Sequence, residues 1–276
     1  MARDWDDAFA NMAHIPGSEA FPKAWAQDAE DFRARSGRHE RISYGEKDTE
    51  IIDFFSPRST SRGLFIFVHG GYWMRTSPDD WSHLAEGAVA LGYTAALIGY
   101  TLTPAATIPE ITQQVARGIR HVARAHDGPI HLVGHSAGAH LAARALCDDT
   151  TLEPGILLRM ASLTGLGGVY DLRPLLMTEM NWTLGLTGQS AALESPILHR
   201  PKVDVPMTIW VGADERPEFV RQSRAMALVW EGLGAEITLV EEAGAHHFSI
   251  LDGLRSADTA LMRQVVAGTD IQAKGL

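Results

Sequence analysis

The sequence is poor in cysteine, in basic runs and in long apolar stretches, and each shortage removes a class of protein. Its one cysteine, Cys147, cannot close an internal disulfide, so a reducing, cytoplasmic setting is expected. No Lys/Arg run appears and the formal net charge is -10, which argues against a nucleic-acid partner and an anionic membrane surface. Nothing approaches the roughly 18 apolar residues a bilayer span requires. The opening MARDWDDAFA is acidic and lacks the apolar h-region of a signal peptide. These absences leave a soluble, cytosolic protein as the expectation; no linker is long enough to split the 276 residues, so a single domain is expected, and self-association stays open.

What is present is an alternation of strand-like and helix-like segments. Residues 1–38 are polar with scattered aromatics (Trp5, Phe9, Phe21, Trp25) and read as an N-terminal arm over something apolar. ERISYG and EIIDFFSP have strand spacing and suggest a hairpin. GLFIFVHGG, YTAALIGY, PIHLVGHS, ILLRMASLTG, PMTIWVGAD and EITLVEEAG read as further strands, the first three as continuous apolar runs buried on both faces. Helical patterns fall at SPDDWSHLAEGAVALG, IPEITQQVARGIRHVARAH, AGAHLAARALC and PEFVRQSRAMALVWEGLG, with another after Phe248. Strands alternating with helices predict an α/β fold, a mostly parallel sheet covered on both sides. Residues 164–204 interrupt the pattern and suggest a small helical cap over the sheet's C-terminal edge.

The chemistry centres on Gly134-His135-Ser136-Ala137-Gly138, a G-x-S-x-G elbow with a strand before it and a helix after. The turn is too tight for side chains beside the serine, and the helix N-terminus directs free N–H groups at developing negative charge. VHGGYW supplies a second glycine turn after a buried strand; the N–H groups of Gly71 and Tyr72, with that of Ala137, suit an oxyanion hole. His69 reads as an anchor of that loop. A serine hydroxyl needs a base, and the base an orienting carboxylate, in the chain order Ser, acid, His. The acid after PMTIWVG is Asp214 or Glu215, and the base after EITLVEEAG is His246 or His247.

HGGYW, GHSAGAHLA, GVYDLRPLLMTEMNWTLGLT, SPILHRP, ERPEFVRQS and HHF together resemble the serine-dependent kynurenine formamidases (arylformamidases) of the α/β-hydrolase fold, across about residues 64–252. In that family the acid precedes Ser-Pro-Glu-Phe and the histidine precedes phenylalanine. The resemblance therefore implies Glu215 and His247, with Ser136 as nucleophile. This chain has glutamate for the family's aspartate, arginine for its serine, and His246 where aspartate is common. Glu215 also lies three residues past the strand-ending Gly212, a common place for the acid. The implied activity is cleavage of N-formyl-L-kynurenine to formate and L-kynurenine.

Tyr72 and Trp73 are the residues expected to stack on the substrate ring, while Trp81, Tyr170 and Trp182 are further candidates for an aromatic pocket. Arg75, Arg173 and Arg216 are the candidates to meet a substrate carboxylate. His131, His135 and His140 match no zinc spacing, so neither metal nor cofactor is expected. Asp171 and Tyr100 read as structural. A short-chain carboxylesterase is the alternative activity, and a hydrolase-fold binding protein with a silenced site is the alternative of another class.

Overall fold

Alternating side chains along the central strands feed two separate apolar layers. In the computed structural model, which describes residues 3–267, the strands are β1 (His39–Ser43), β2 (Ile51–Phe55), β3 (Leu64–Val68), β4 (Thr94–Ile98), β5 (Ile130–His135), β6 (Met160–Leu166), β7 (Met207–Gly212) and β8 (Ile237–Glu242). Leu64, Ile66 and Val68 of β3 join one layer, and Phe65 and Phe67 the other; β4 divides likewise, Ala96 and Ile98 against Ala95 and Leu97. The period of two puts successive residues on opposite faces, so a strand buried on both sides must be apolar throughout.

The sheet order is β1-β2-β4-β3-β5-β6-β7-β8. β1 and β2 form the expected hairpin, β2 runs antiparallel to β4, and every later pairing is parallel. This is the α/β-hydrolase arrangement. Register aligns the strand ends. Val68 pairs with Gly134, His135 with Leu166, Leu166 with Trp210, and Gly212 with Glu242. The C-terminal ends of β3, β5, β6, β7 and β8 therefore lie along one edge, where open α/β sheets place their sites.

The helix Ile108–Ala125 starts on a capping box, with Thr107 and Glu110 each satisfying the other's backbone N–H, and has Pro109 in its first turn. Its buried face includes Ile108, Ile111, Val115, Ile119 and Val122, the i, i+3/i+4 stripe of an amphipathic helix. The segment SPDDWSHLAEGAVALG departs from the single helix its sequence suggests. It forms 3-10 turns at Pro78–Asp80 and Ser82–Ala85 before the short α-helix Glu86–Ala90. The break falls at Trp81, whose backbone leaves helical geometry (φ -125°, ψ 4°) where its indole packs 4.6 Å from that of Trp25. Burying that ring costs the helix its continuity.

Within residues 164–204 the chain forms short helical turns at Arg173–Met177, Asn181–Leu184, Gly188–Leu193 and Pro196–Leu198. Leu172, Leu175, Leu184 and Ala191 of this segment sit in the core. The N-terminal arm holds the helices Trp5–Phe9 and Phe21–Ser36 and docks partly on this insertion, the Glu179 N–H donating to Asp6 Oδ1 at 2.8 Å. Among the described residues no helix is long and apolar enough to cross a membrane.

Candidate active site

Ser136 sits where β5 turns into the helix Ala137–Arg144, with φ 55° and ψ -118°, a backbone conformation costly for a residue with a side chain. Two glycines make the turn feasible. A Cβ at Gly134 would lie 2.2 Å from the carbonyl oxygen of Gly138, and one at Gly138 would lie 2.0 Å from that of Val68. Backbone cannot yield to either, so alanine is excluded at both. The Ser136 N–H donates to Leu166 O at 2.8 Å and pins the elbow to β6.

The loop after β3 is strained in the same sense, with positive φ at Gly71 (100°), Tyr72 (54°), Trp73 (57°) and Thr76 (67°). Strain of this kind persists only where the surroundings hold it. Here they do. Tyr100 donates its hydroxyl to His69 O at 2.9 Å and stacks on the His69 ring at 4.2 Å, and Thr76 Oγ1 donates to Gly70 O at 3.1 Å. Burial lowers the His69 pKa to about 4, so this ring is neutral and structural, as its sequence position suggests. Among the described residues the backbone N–H groups of Gly71, Tyr72 and Ala137 donate to no protein acceptor. Gly71 and Tyr72 line the same cavity as Ser136, and Ala137 follows the serine directly in the chain, so the three unengaged donors lie on the segments from which an oxyanion hole would be built.

On the far side of the elbow, His247 Nδ1 lies 2.5 Å from Glu215 Oε2, and both residues are buried. The second oxygen of Glu215 accepts the Gly212 N–H at 2.9 Å, which orients the carboxylate against the end of β7. A carboxylate on Nδ1 assigns the proton to that nitrogen and leaves Nε2 as an acceptor. Asp214 is exposed, with its backbone N–H on Ala245 O. His246 turns its Nδ1 onto the N–H groups of Phe248 and Ser249, 3.2 Å from each, and serves the turn. The His247 ring is packed by His135 (4.6 Å) and Phe219 (4.7 Å), and its carbonyl accepts from His135 Nε2 at 2.9 Å. Burial and the neighbouring His247 hold His135 well below the usual imidazole range. The Ser136 hydroxyl makes no hydrogen bond among the described residues; it and His247 face one cavity, and such contacts commonly tighten only with substrate bound.

That cavity, about 400 Å³, is lined by Ser136, His247, Gly71, Tyr72 and Arg75, and by Trp81, Trp25 and Phe248. It suits a small ligand. A roomier groove of about 570 Å³ along Tyr44, Glu50 and Arg117 holds none of these groups, and its Glu50 and Arg117 pair with one another. The aromatic wall is built by Trp25, 4.6 Å from Trp81 and 5.0 Å from Phe248. Sequence reasoning missed Trp25, Phe248, Asn11 and Met12 as lining residues; the one signal was an arm with more aromatics than its polarity explains. Residues 164–204 contribute no side chain to the cavity. The arm covers the site, and the insertion supports the arm.

Trp73 requires correction as a ring-stacking residue. It is fully buried in the core beneath the loop, 5.1 Å edge-on to His140, and lines no part of the cavity. Tyr72 does reach the cavity, but its hydroxyl is engaged by Asn11 Nδ2 at 3.1 Å and donates to Phe9 O. Of the other aromatic candidates, Trp81 lines the site, Tyr170 is core and Trp182 is 90% exposed. Asp171 is structural, chelated by Arg173 at 2.8 and 2.9 Å. The one side-chain group able to converge on a cation among the described residues, Asp148, Asp149 and His199, is outside the cavity and already tied to Arg144.

Comparison with known proteins agrees with this architecture. The BD-FAE family matches residues 52–155. The chain is similar to the kynurenine formamidase of Danio rerio, 33% identical over 77% of this chain and 75% of that protein, and to that of Salmo salar, 30% identical over 79% and 77%. Among solved structures, a protein of Silicibacter sp. TM1040 provisionally assigned as a thioesterase superposes with a TM-score of 0.90 at 39% identity, covering 96% of this chain and 99% of that one. An esterase of Pyrobaculum calidifontis, at 14% identity and a TM-score of 0.68 over 92% and 93%, shares the fold. The protein is a hydrolase, and the chain belongs to the kynurenine formamidase family.

Proposed function

We propose that the protein hydrolyses N-formyl-L-kynurenine to formate and L-kynurenine in the cytoplasm, with Ser136 as nucleophile, His247 as base and Glu215 as the orienting acid. The observation that carries this is the Glu215–His247 hydrogen bond facing, with Ser136, a cavity walled by Trp25, Trp81 and Phe248. The Nε2 atom of His247 takes the Ser136 proton as Oγ attacks the formyl carbon. The resulting oxyanion is held by the N–H of Ala137 and those of Gly71 and Tyr72. His247 then returns the proton to the departing aryl amine. Water, deprotonated by the same ring, attacks the formyl-serine ester and releases formate.

Chemistry and shape favour a formanilide. A formyl carbonyl is unhindered, an aryl amine leaves more readily than an alkyl amine, and the aromatic wall accepts a ring in edge-on or offset packing. Replacing Ser136 with alanine should abolish formamidase turnover while the circular dichroism spectrum and unfolding midpoint are retained. Persisting turnover in that variant ends the proposal.

A short-chain carboxylesterase is the second reading, favoured by the thioesterase assignment of the Silicibacter relative. Comparing kcat/KM on N-formyl-L-kynurenine and p-nitrophenyl acetate separates the two. Covalent labelling of Ser136 by a fluorophosphonate excludes a silenced binding protein.

A further inference from the structure

Three arginines are candidates to meet a substrate carboxylate, and the structure treats them differently. Arg173 is engaged by Asp171, and Arg216 is paired with Asp7 of the arm. Arg75 has no such partner. It lines the cavity, it is exposed, and among the described residues it forms no ion pair. Its backbone is fixed, with the N–H donating to Gly71 O at 2.9 Å inside the strained loop that bears two of the free donors. Asp80, five residues on, lines the same cavity. One of its oxygens accepts the Ser77 N–H at 2.9 Å, and the other is unused among the described residues. A cation and an anion thus share one wall without pairing with each other.

The wall is unsatisfied in a second, independent way. Asn11 Oδ1, Trp81 Nε1 and His135 Nδ1 are buried polar atoms without a hydrogen-bond partner in the structure, and all three residues line the cavity. Buried polar atoms are rarely left so unless a ligand or ordered water meets them. Two acceptors and a donor beside the aromatic wall are poorly matched to a hydrocarbon acyl chain. They match a ligand with both N–H and C=O groups.

We infer that this cavity contains a subsite for the head group of an α-amino acid, with Arg75 taking the carboxylate and Asp80 the ammonium. The inference rests on the formamidase reading and deepens it: Arg75 and Asp80 set the preference for an amino-acid formanilide over a plain one. A guanidinium meets a carboxylate with two parallel N–H donors, and the acid five residues away rejects a second negative charge. The cation is specific to this subsite because the other two arginines are already engaged.

Isothermal titration calorimetry on the intact protein tests it with three probes: L-kynurenine, 2-aminoacetophenone, and kynurenine lacking its α-amino group. The wild type should bind L-kynurenine at least about tenfold more tightly than 2-aminoacetophenone, the scale of one charge-assisted contact. Arg75→Met should remove most of that difference and leave 2-aminoacetophenone binding within about twofold, which also shows that the cavity is intact. Asp80→Asn, which keeps an oxygen for the Ser77 N–H, should weaken L-kynurenine and spare the analogue without the amino group. Equal wild-type affinities for L-kynurenine and 2-aminoacetophenone, or an Arg75→Met variant that weakens both alike, overturn the subsite. Turnover of N-formyl-L-kynurenine by the wild type is measured separately. Its absence alongside Arg75-dependent head-group binding would defeat the formamidase reading and leave the subsite standing.

Discussion

The Tyr72 hydroxyl accepts a hydrogen bond from Asn11 Nδ2 at 3.1 Å and donates one to the Phe9 carbonyl, so a residue of the glycine loop after β3 holds the N-terminal arm at the cavity. One residue therefore couples two parts of the candidate site: its backbone N–H donates to no acceptor among the described residues in the cavity that Ser136 lines, and its hydroxyl holds the arm that carries Trp25.

Tyr72→Phe removes both side-chain bonds and keeps the backbone donor. The loss should be about 1–2 kcal/mol of stability, the usual range for buried hydrogen bonds. Protease should cut the arm faster in this variant. The kcat/KM for an aryl formamide should fall more than that for p-nitrophenyl acetate, since only the larger substrate needs the arm's wall. Equal losses on both substrates would contradict the coupling.

Glu215→Gln leaves the shape of the acid and removes the charge that fixes the Nδ1 proton of His247. Rates should fall by about 10³–10⁴ in kcat with KM little changed, the scale seen for the equivalent change in serine proteases. Asp214→Asn should stay within about twofold, because exposed substitutions away from special contacts have small effects. Stopped assays on both variants decide it, and a larger loss in the Asp214 variant would reverse the assignment.

Trp73 and Trp25 should respond oppositely. Trp73→Phe changes a fully buried ring outside the cavity, so it should cost about 1–2 kcal/mol in urea unfolding with KM unaltered. Trp25→Ala opens the aromatic wall and should raise KM for the aryl substrate about tenfold or more, on the scale of a lost aromatic contact plus its burial. The pair is read by setting KM against the unfolding midpoint.

Acid sensitivity follows from the buried histidines. Burial lowers His69, His83 and His131 to about 4 and His140 to about 3, and holds His135 well below the ordinary value. Each folded pKa lies under the unfolded one of about 6.5, so the unfolded chain binds more protons as pH falls. The stabilisation is complete above about pH 6.5 and is lost on acidification toward pH 4, at up to about 1.4 kcal/mol per pH unit for each ring. Urea midpoints should therefore drop steeply between pH 6.5 and 5. A flat profile over that interval would show that the rings are not held neutral.

Much of the fold was legible in short stretches. LFIFV and TAALI are apolar at every position because both faces of the sheet are covered, and G-H-S-A-G marks the elbow because two glycines there meet backbone. The helix proposed across SPDDWSHLAEGAVALG was not legible, since Trp81 leaves helical geometry to meet Trp25, a contact between distant segments.

The sequence by itself determined the order of strands and helices, the elbow at Ser136, and the two neighbouring pairs from which an acid and a base had to come. Those properties are local: apolar period, glycine placement and chain order carry them. Only the tertiary structure put Glu215 inward and Asp214 in solvent, turned Trp73 into the core and Tyr72 toward the arm, and set Trp25 in the wall of the cavity that Ser136 lines. Adjacent residues point in different directions, so composition cannot choose between them. The choice is made by what packs against each side chain, and those partners lie far away along the chain.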